Sequence, residues 1–271
     1  MIEKLDGSTR LYLIIGDPIA QVKSPLGVTR QLQDKGLNAL VAPLHVTPDD
    51  LPAFMAGAGL ARNIDGIIVT VPHKFSAYRF CADATPRARF LNAVNIMRRR
   101  ADGSWYGDMV DGVGYVGALR DKGCAVGGRH GLVVGAGGAG SAIAHSLLEA
   151  GVASLAIHDE DRARRDALIA RLAGLDLAEV KAGSPRPAGY DLVINATPTG
   201  MKAEDPYPIE VEELRASTFV GDVITAPVVS PLVELARARG CGTMLGVDMF
   251  AAVCERMVDF LLAGEKERQT G

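Results

Sequence analysis

Apolar and polar positions fall along this chain in blocks that read strand, helix, strand. Residues 11–15 are an apolar run halted by Gly16-Asp17-Pro18, the pattern of a buried strand. A helix follows from Pro25 through Leu32 and closes near Gly36. Residues 39–46 read as a second strand, and Pro43 inside it points to a sheet edge or a bulge. Thr47 is placed to cap a helix beginning over residues 51–55. Residues 64–71 form a third strand, with a helix behind it that reaches Tyr78. Such alternation predicts a parallel sheet covered on both faces. Residues 92–97 and 105–110 then predict a short β pair turned at Asp102-Gly103, and a helix over 114–119 bridges to the second half.

The second half opens on an apolar strand, residues 131–134, that feeds Gly135-Ala136-Gly137-Gly138-Ala139-Gly140 and then a helical pattern from Ser141 to Leu148. Gly-x-Gly-x-x-Gly between a strand and a helix is the dinucleotide fingerprint in its required setting. Gly135, Gly137 and Gly140 let the backbone approach a pyrophosphate at a helix N-terminus, with Gly138 and Ala139 opening that helix. The next strand, residues 154–159, ends on Asp159, about 20 residues on, where a ribose-binding carboxylate belongs. The competing reading makes Asp159 a cap for the helix over 162–172. Further strands are predicted at 191–195, 218–223 and 243–245, with a helix at 231–239 and a last helix at 250–262 that returns to the first half.

An acidic residue at that strand end repels a 2′-phosphate, so NAD is the expected cofactor. Arg162, Arg164 and Arg165 stand close by and keep NADP open. Asn195 and Thr197, in Asn195-Ala196-Thr197-Pro198-Thr199-Gly200-Met201, leave a strand at the ligand-binding edge and are assigned to the cofactor with Gly246, or else form a plain loop.

About half the chain precedes the fingerprint, so a complete domain comes first and holds the substrate chemistry. Thr70-Val71-Pro72-His73-Lys74 delivers a lysine to the sheet's carboxyl edge, and Asp111 lies just before the cofactor domain. A lysine and an aspartate that meet in a cleft suit alcohol oxidation: the hydroxyl proton needs an acceptor and the developing oxyanion a cation. Taken singly, each is more often a solvated surface charge.

Composition narrows the classes further. With 48% hydrophobic and 23% charged residues the 271-residue chain is that of an ordinary globular protein. A net charge of −3 and the lack of any basic run give no support for nucleic-acid binding. No stretch is apolar for long enough to span a bilayer, and the charged residues among the first six do not suit a signal peptide. Cys81, Cys124, Cys241 and Cys254 are scattered, so neither a metal site nor a disulfide framework is expected; a cytoplasmic monomer or homodimer acting on a small molecule is.

Together these segments resemble the shikimate dehydrogenase family over nearly the whole chain. The resemblance is carried by Gly16-Asp17-Pro18-Ile19 with Lys23-Ser24-Pro25, by Thr70 to Lys74, by Asn92-Ala93-Val94-Asn95 and by Asp111-Gly112-Val113-Gly114. It continues through Gly135 to Gly140, Asn195 to Met201, and Asp222 with Pro227. It implies an α/β protein with an N-terminal three-layer α/β substrate domain, residues 1–110 and 247–271, and a C-terminal doubly wound Rossmann domain, residues 111–246. It implies hydride transfer between NAD(P) and a ring hydroxyl, with Lys74 and Asp111 as the catalytic pair and Asn95 and Thr70 holding substrate hydroxyls.

The departures from the family pattern are chemical. Where the family has two serines for a substrate carboxylate, this chain has Val22 and Ser24; its usual His-Asn is Val28-Thr29, and its Asn-Thr is Met109-Val110. Thr225 stands for a tyrosine and Val253 for a glutamine. Each change is expected to remove or weaken a group facing substrate, at about 1–3 kcal/mol apiece. Two alternatives follow: the same fold acting on a less acidic polyol or an amino-substituted ring, or an inactive NAD(H)-binding regulator.

Overall fold

The computed structural model describes residues 5–202 and 204–270, which divide into two compact units. The first runs through Val110 and resumes at Cys254; the second is Asp111–Val253.

The first unit contains β1 (Arg10–Gly16), α1 (Ser24–Asp34), β2 (Ala39–His45), α2 (Leu51–Leu60), β3 (Ile64–Val69), α3 (Lys74–Tyr78), β4 (Asp83–Ala84), α4 (Pro86–Leu91), β5 (Ile96–Arg99) and β6 (Trp105–Asp108). Its sheet has the order β2-β1-β3-β5-β6-β4. β1 and β3 are the parallel centre and are apolar because both faces are covered; all six residues of β3 are buried. β2 is the edge strand on one side, as Pro43 requires. The sheet is mixed, not parallel throughout. The hairpin joins it, so β5 runs antiparallel to both β3 and β6, with its turn at Gly103, φ +86°.

Two other local expectations change. Thr47 does not cap α2: its hydroxyl accepts the Asp50 amide at 3.3 Å in a preceding turn, and the helix begins at Leu51. The short strands β4 and, in the second unit, β9 (Glu179–Ala182) carry too few apolar residues to be read from the pattern.

The second unit contains α5 (Asp111–Asp121), β7 (His130–Val134), α6 (Gly138–Glu149), β8 (Ser154–His158), α7 (Arg162–Ala173), β9 (Glu179–Ala182), β10 (Leu192–Asn195), a 3₁₀ turn (Val211–Glu213), β11 (Phe219–Asp222), α8 (Pro231–Ala238) and β12 (Gly242–Met244). Its six strands are all parallel in the order β9-β8-β7-β10-β11-β12. In order of appearance that is 3-2-1-4-5-6, the doubly wound dinucleotide-binding topology, and the strand order reverses between β7 and β10.

The last helix, α9 (Gly246–Thr270), begins earlier than its apolar pattern suggests, and residues up to Val253 stay with the second unit. Contacts explain this. Lys122 pairs with Asp248 at 3.0 Å, and a Cβ on Gly114 of α5 would meet Val253 Cγ2 at 2.5 Å. Beyond Cys254 the helix packs on the first unit's sheet: Phe260 stacks on Tyr106 at 5.8 Å and Leu261 sits over Gly66.

Gly66 is the tightest point of that packing. A Cβ there would lie 2.6 Å from Leu261 Cδ2 and 3.0 Å from the Met97 carbonyl oxygen. Gly66→Ala is expected to destabilise the protein by about 1–3 kcal/mol, read as a lower urea midpoint; an unchanged midpoint refutes this packing.

Candidate active site

In the first unit the candidate residues gather where β1 and β3 end. Thr70 follows β3 and donates its amide to the Ile15 carbonyl at 3.0 Å. Gly16 lies so close that a Cβ there would be 2.4 Å from Thr70 Cγ2, so only glycine lets the two strand exits pack. The chain then turns, with His73 N–H on the Thr70 carbonyl at 2.9 Å, and α3 starts at Lys74. The Lys74 carbonyl accepts the Val94 amide at 2.9 Å, which sets the lysine's backbone beside the segment carrying Asn95.

Asn95 is 1% exposed, and its Oδ1 accepts the Val110 amide at 2.9 Å, fixing the segment that leads into Asp111. Its backbone is pinned on both sides, donating to the Asp108 carbonyl at 3.0 Å and accepting from Val69 at 2.8 Å. What anchors Asp108 has no local signal in the chain. This buried carboxylate accepts from Thr85 Oγ1 at 2.5 Å, from Arg87 Nε at 2.8 Å and from the Met109 amide at 2.7 Å. Ser24 is buried as the first residue of α1, and Val22 is partly buried in the turn before it.

Not every departure from the family pattern faces a ligand. Thr29 is buried and its hydroxyl accepts the Val41 amide at 2.9 Å, so it fastens α1 to β2. Val28, Met109 and Val110 are also buried. This corrects the expectation for Thr29, whose polar atom is spent inside the fold.

Asp111 opens the second unit, 5% exposed at the start of α5. The glycine turn lies at the end of β7. Gly135 has φ +106°, and a Cβ there would meet the Ala196 backbone at 2.9 Å. A Cβ on Gly140 would be 1.9 Å from the Gly135 carbonyl oxygen, so turn and helix are in backbone contact. Gly137 differs: a Cβ would meet nothing within 4 Å, and as the N-cap of α6 it offers no side chain to the first-turn amides. Open space before these helix amides fits a pyrophosphate.

Asp159 ties this turn to β8. It is 7% exposed and accepts the Ala136 amide at 2.6 Å and the Asp161 amide at 2.8 Å. Arg164 forms a fork on it, Nη2 to Oδ1 at 2.7 Å and Nε to Oδ2 at 3.2 Å. Burial alone would raise its pKa, but the Arg164 hydrogen bonds and the two amides outweigh that and hold the carboxyl below its ordinary range. The cap of α7 is Asp161, whose carboxylate accepts the Arg164 amide at 3.0 Å, so Asp159 does not cap that helix.

Asn195 is fully buried at the end of β10. Its Oδ1 accepts from the Thr197 amide at 3.0 Å and hydroxyl at 2.7 Å, while Nδ2 donates to Asp222 at 3.0 Å and to the Thr199 carbonyl at 3.1 Å. It therefore orders the loop from within, a correction to its reading as a side chain that touches cofactor. Gly246 is a point of close approach, where a Cβ would lie 2.1 Å from the Ile224 carbonyl oxygen. Thr225 is partly buried in the loop after β11, and Val253 is 5% exposed. Among the described residues no group of His, Cys, Asp and Glu is arranged to hold a metal ion, and no helix is long and apolar enough to cross a membrane.

Comparison with known proteins supplies the lineage. A family profile described as the shikimate dehydrogenase substrate binding domain matches residues 14–97. A shikimate dehydrogenase (NADP(+)) of Rubrobacter xylanophilus is 36% identical over 250 residues, spanning 90% of this chain and 88% of that one. The chain belongs to the shikimate dehydrogenase family. The family is one of NAD(P)-dependent oxidoreductases, and its two-domain architecture recurs in solved structures. One is a shikimate 5-dehydrogenase from Listeria monocytogenes in complex with shikimate and NAD, 25% identical with TM-score 0.87 over 96% of this chain and 94% of that one. Another is a ligand-free 5-ketofructose reductase of a Gluconobacter strain, 28% identical with TM-score 0.83 over 94% and 93%.

Gly140→Ala tests the cradle. The added carbon forces the Gly135 carbonyl to move, and NADH affinity is expected to fall by about tenfold or more, a loss of about 1.4 kcal/mol. Fluorescence titration of NADH measures it, and parent-like affinity means the turn is not the cofactor site.

Proposed function

We propose that this chain is a NAD-preferring oxidoreductase that moves a hydride between the nicotinamide and a ring hydroxyl of shikimate, quinate or a related hydroxylated cyclic acid. The observation that carries the reading is the first unit's strand-end cluster, in which the Val94–Lys74 hydrogen bond sets the lysine's backbone beside the segment bearing Asn95 and close behind Thr70. A bound nicotinamide supplies the hydride acceptor or donor. Lys74 then takes the hydroxyl proton or steadies the developing alkoxide, Asp111 orients that hydroxyl, and Asn95 and Thr70 hold its neighbours. The reading carries a cytoplasmic setting, a monomer or homodimer, and a first unit that receives substrate while the second receives cofactor.

Preference for NAD is supported by the charges around β8. Asp159, Glu160 and Asp161 stand together where a 2′-phosphate would come. Arg164 is already engaged by Asp159, and Arg165 pairs with Asp166 at 2.8 Å. Asp159→Asn removes one repelling charge and loosens Arg164. It is expected to lower the NAD⁺-over-NADP⁺ ratio of kcat/KM by about tenfold or more, given the charge-assisted bonds involved. An unmoved ratio overturns the assignment.

Lys74→Ala is expected to cut turnover by about 10²–10⁴-fold while NADH affinity stays within about twofold. Parallel loss of both sinks the catalytic role.

A second reading keeps the chemistry and changes the substrate to a less acidic polyol. Val22 and Val253 favour it, since neither offers a hydrogen bond to a carboxylate, and so does the likeness to a 5-ketofructose reductase. Nicotinamide absorbance with shikimate, quinate and 5-ketofructose, each with the matching oxidised or reduced cofactor, separates the two. Turnover of either acid at the highest kcat/KM supports the first reading, and preference for the ketose supports the second.

A further inference from the structure

Asp222 ends β11 and is 1% exposed, yet nothing in the catalytic scheme uses it. Its carboxylate collects polar groups from three separate segments. Oδ1 accepts from Asn195 Nδ2 at 3.0 Å, at the end of β10, and from the Ile224 amide at 3.0 Å, in its own exit loop. Oδ2 accepts from Ser230 Oγ at 2.5 Å, and that serine in turn caps α8 by accepting the Val233 amide at 3.3 Å. Through Asn195 the network continues to Thr197 and Thr199, so both loops leaving β10 and β11 hang on one buried acid. Burial drives its carboxyl above the ordinary range, and the bonds from Ser230, Ile224 and Asn195 oppose that rise. A buried carboxylate is costly, so its retention at this point calls for a role.

The topology supplies one. A doubly wound sheet binds a dinucleotide across the point where strand order reverses, one mononucleotide on each half. Here β7, β8 and β9 form the half with the glycine turn and Asp159, which takes the adenosine and pyrophosphate. β10, β11 and β12 form the other half, so on the proposed function the loops that Asp222 ties are the ones that would border the nicotinamide.

We infer that Asp222, with Asn195 and Ser230, is a positioning cluster for the nicotinamide half of the cofactor, acting through the loops after β10 and β11 and leaving the adenosine half untouched. This rests on the proposed dinucleotide-dependent function, and the test separates the two. The Asp222→Asn protein is titrated with ADP-ribose, which lacks the nicotinamide, by calorimetry, and with NADH by its fluorescence. The expected result is ADP-ribose affinity within about twofold of the parent, NADH affinity lower by about tenfold, and loss of the fluorescence enhancement that a sheltered nicotinamide gives. Ser230→Ala, which removes one of the three ties and leaves the acid in place, is expected to shift the same readouts in the same direction by less. It decides the matter should Asp222→Asn not fold. Equal loss of both ligands, or no change in either, overturns the inference. A parent protein that binds neither ligand refutes the cofactor reading itself, and this inference with it.

Discussion

At the carboxyl ends of both sheets the exit loops pack with no room for a Cβ, and the directions those loops take depend on these contacts. Parallel strands deliver their ends to one edge, where exit loops crowd together. Gly16 against Thr70, Gly135 against Ala196, Gly140 against the Gly135 carbonyl and Gly246 against the Ile224 carbonyl all leave less room than a Cβ needs. Each contact fixes the direction in which a loop departs. Lys74 therefore follows β3 by one tight turn, and the amides at the start of α6 face the open space before Gly137. Interiors packed at this density do not yield gradually, so loop directions are set by the fold before any ligand arrives.

Three buried aspartates do the complementary work in polar currency. Asp108 gathers Thr85, Arg87 and the Met109 amide; Asp159 gathers Ala136, Asp161 and Arg164; Asp222 gathers Asn195, Ile224 and Ser230. Every one sits at or just past a strand end and joins segments distant in sequence. Two of them pair with an arginine and Asp222 with neutral donors; buried charges held in either way contribute little net stability once desolvation is counted, so their value lies in specifying one geometry for the loops. That is why they cluster at the ligand-facing edge and not in the apolar middle of the sheets.

What could be read from the sequence follows from the range of each signal. The buried strands β1 and β3, the edge strand with Pro43 and the run of strand, glycine turn and helix all come from local patterns, and the structure has them in place. β4 and β9 escaped because a strand of two residues, or one largely exposed, has no periodicity to detect. Asn195 looked like a ligand contact because polar residues at strand ends usually are, and only its buried side-chain direction shows otherwise. Arg164 gripping Asp159, and Arg87 gripping Asp108, were illegible for another reason: both partners are common surface types, and their meeting is a property of the tertiary fold.

The residues that face substrate on the proposed reading carry an asymmetry that bears on specificity. A site built to hydrogen-bond a substrate group rejects analogues that lack it, because its own buried polar atoms are left unpaired. A site lined by apolar groups discriminates far less against the same analogues. On the proposed reading, Val22 and Val253 stand where the resemblance implies polar residues, and their side chains have nothing to leave unpaired. On the proposed reading, the groups that handle a ring hydroxyl, Lys74, Asn95, Thr70 and Asp111, are retained while the contacts for an acid group are thinned. Such a pocket loses affinity for a carboxylate and, in the same step, loses the means to exclude a neutral polyol. On that reading, breadth of substrate is the physical consequence of the two apolar side chains.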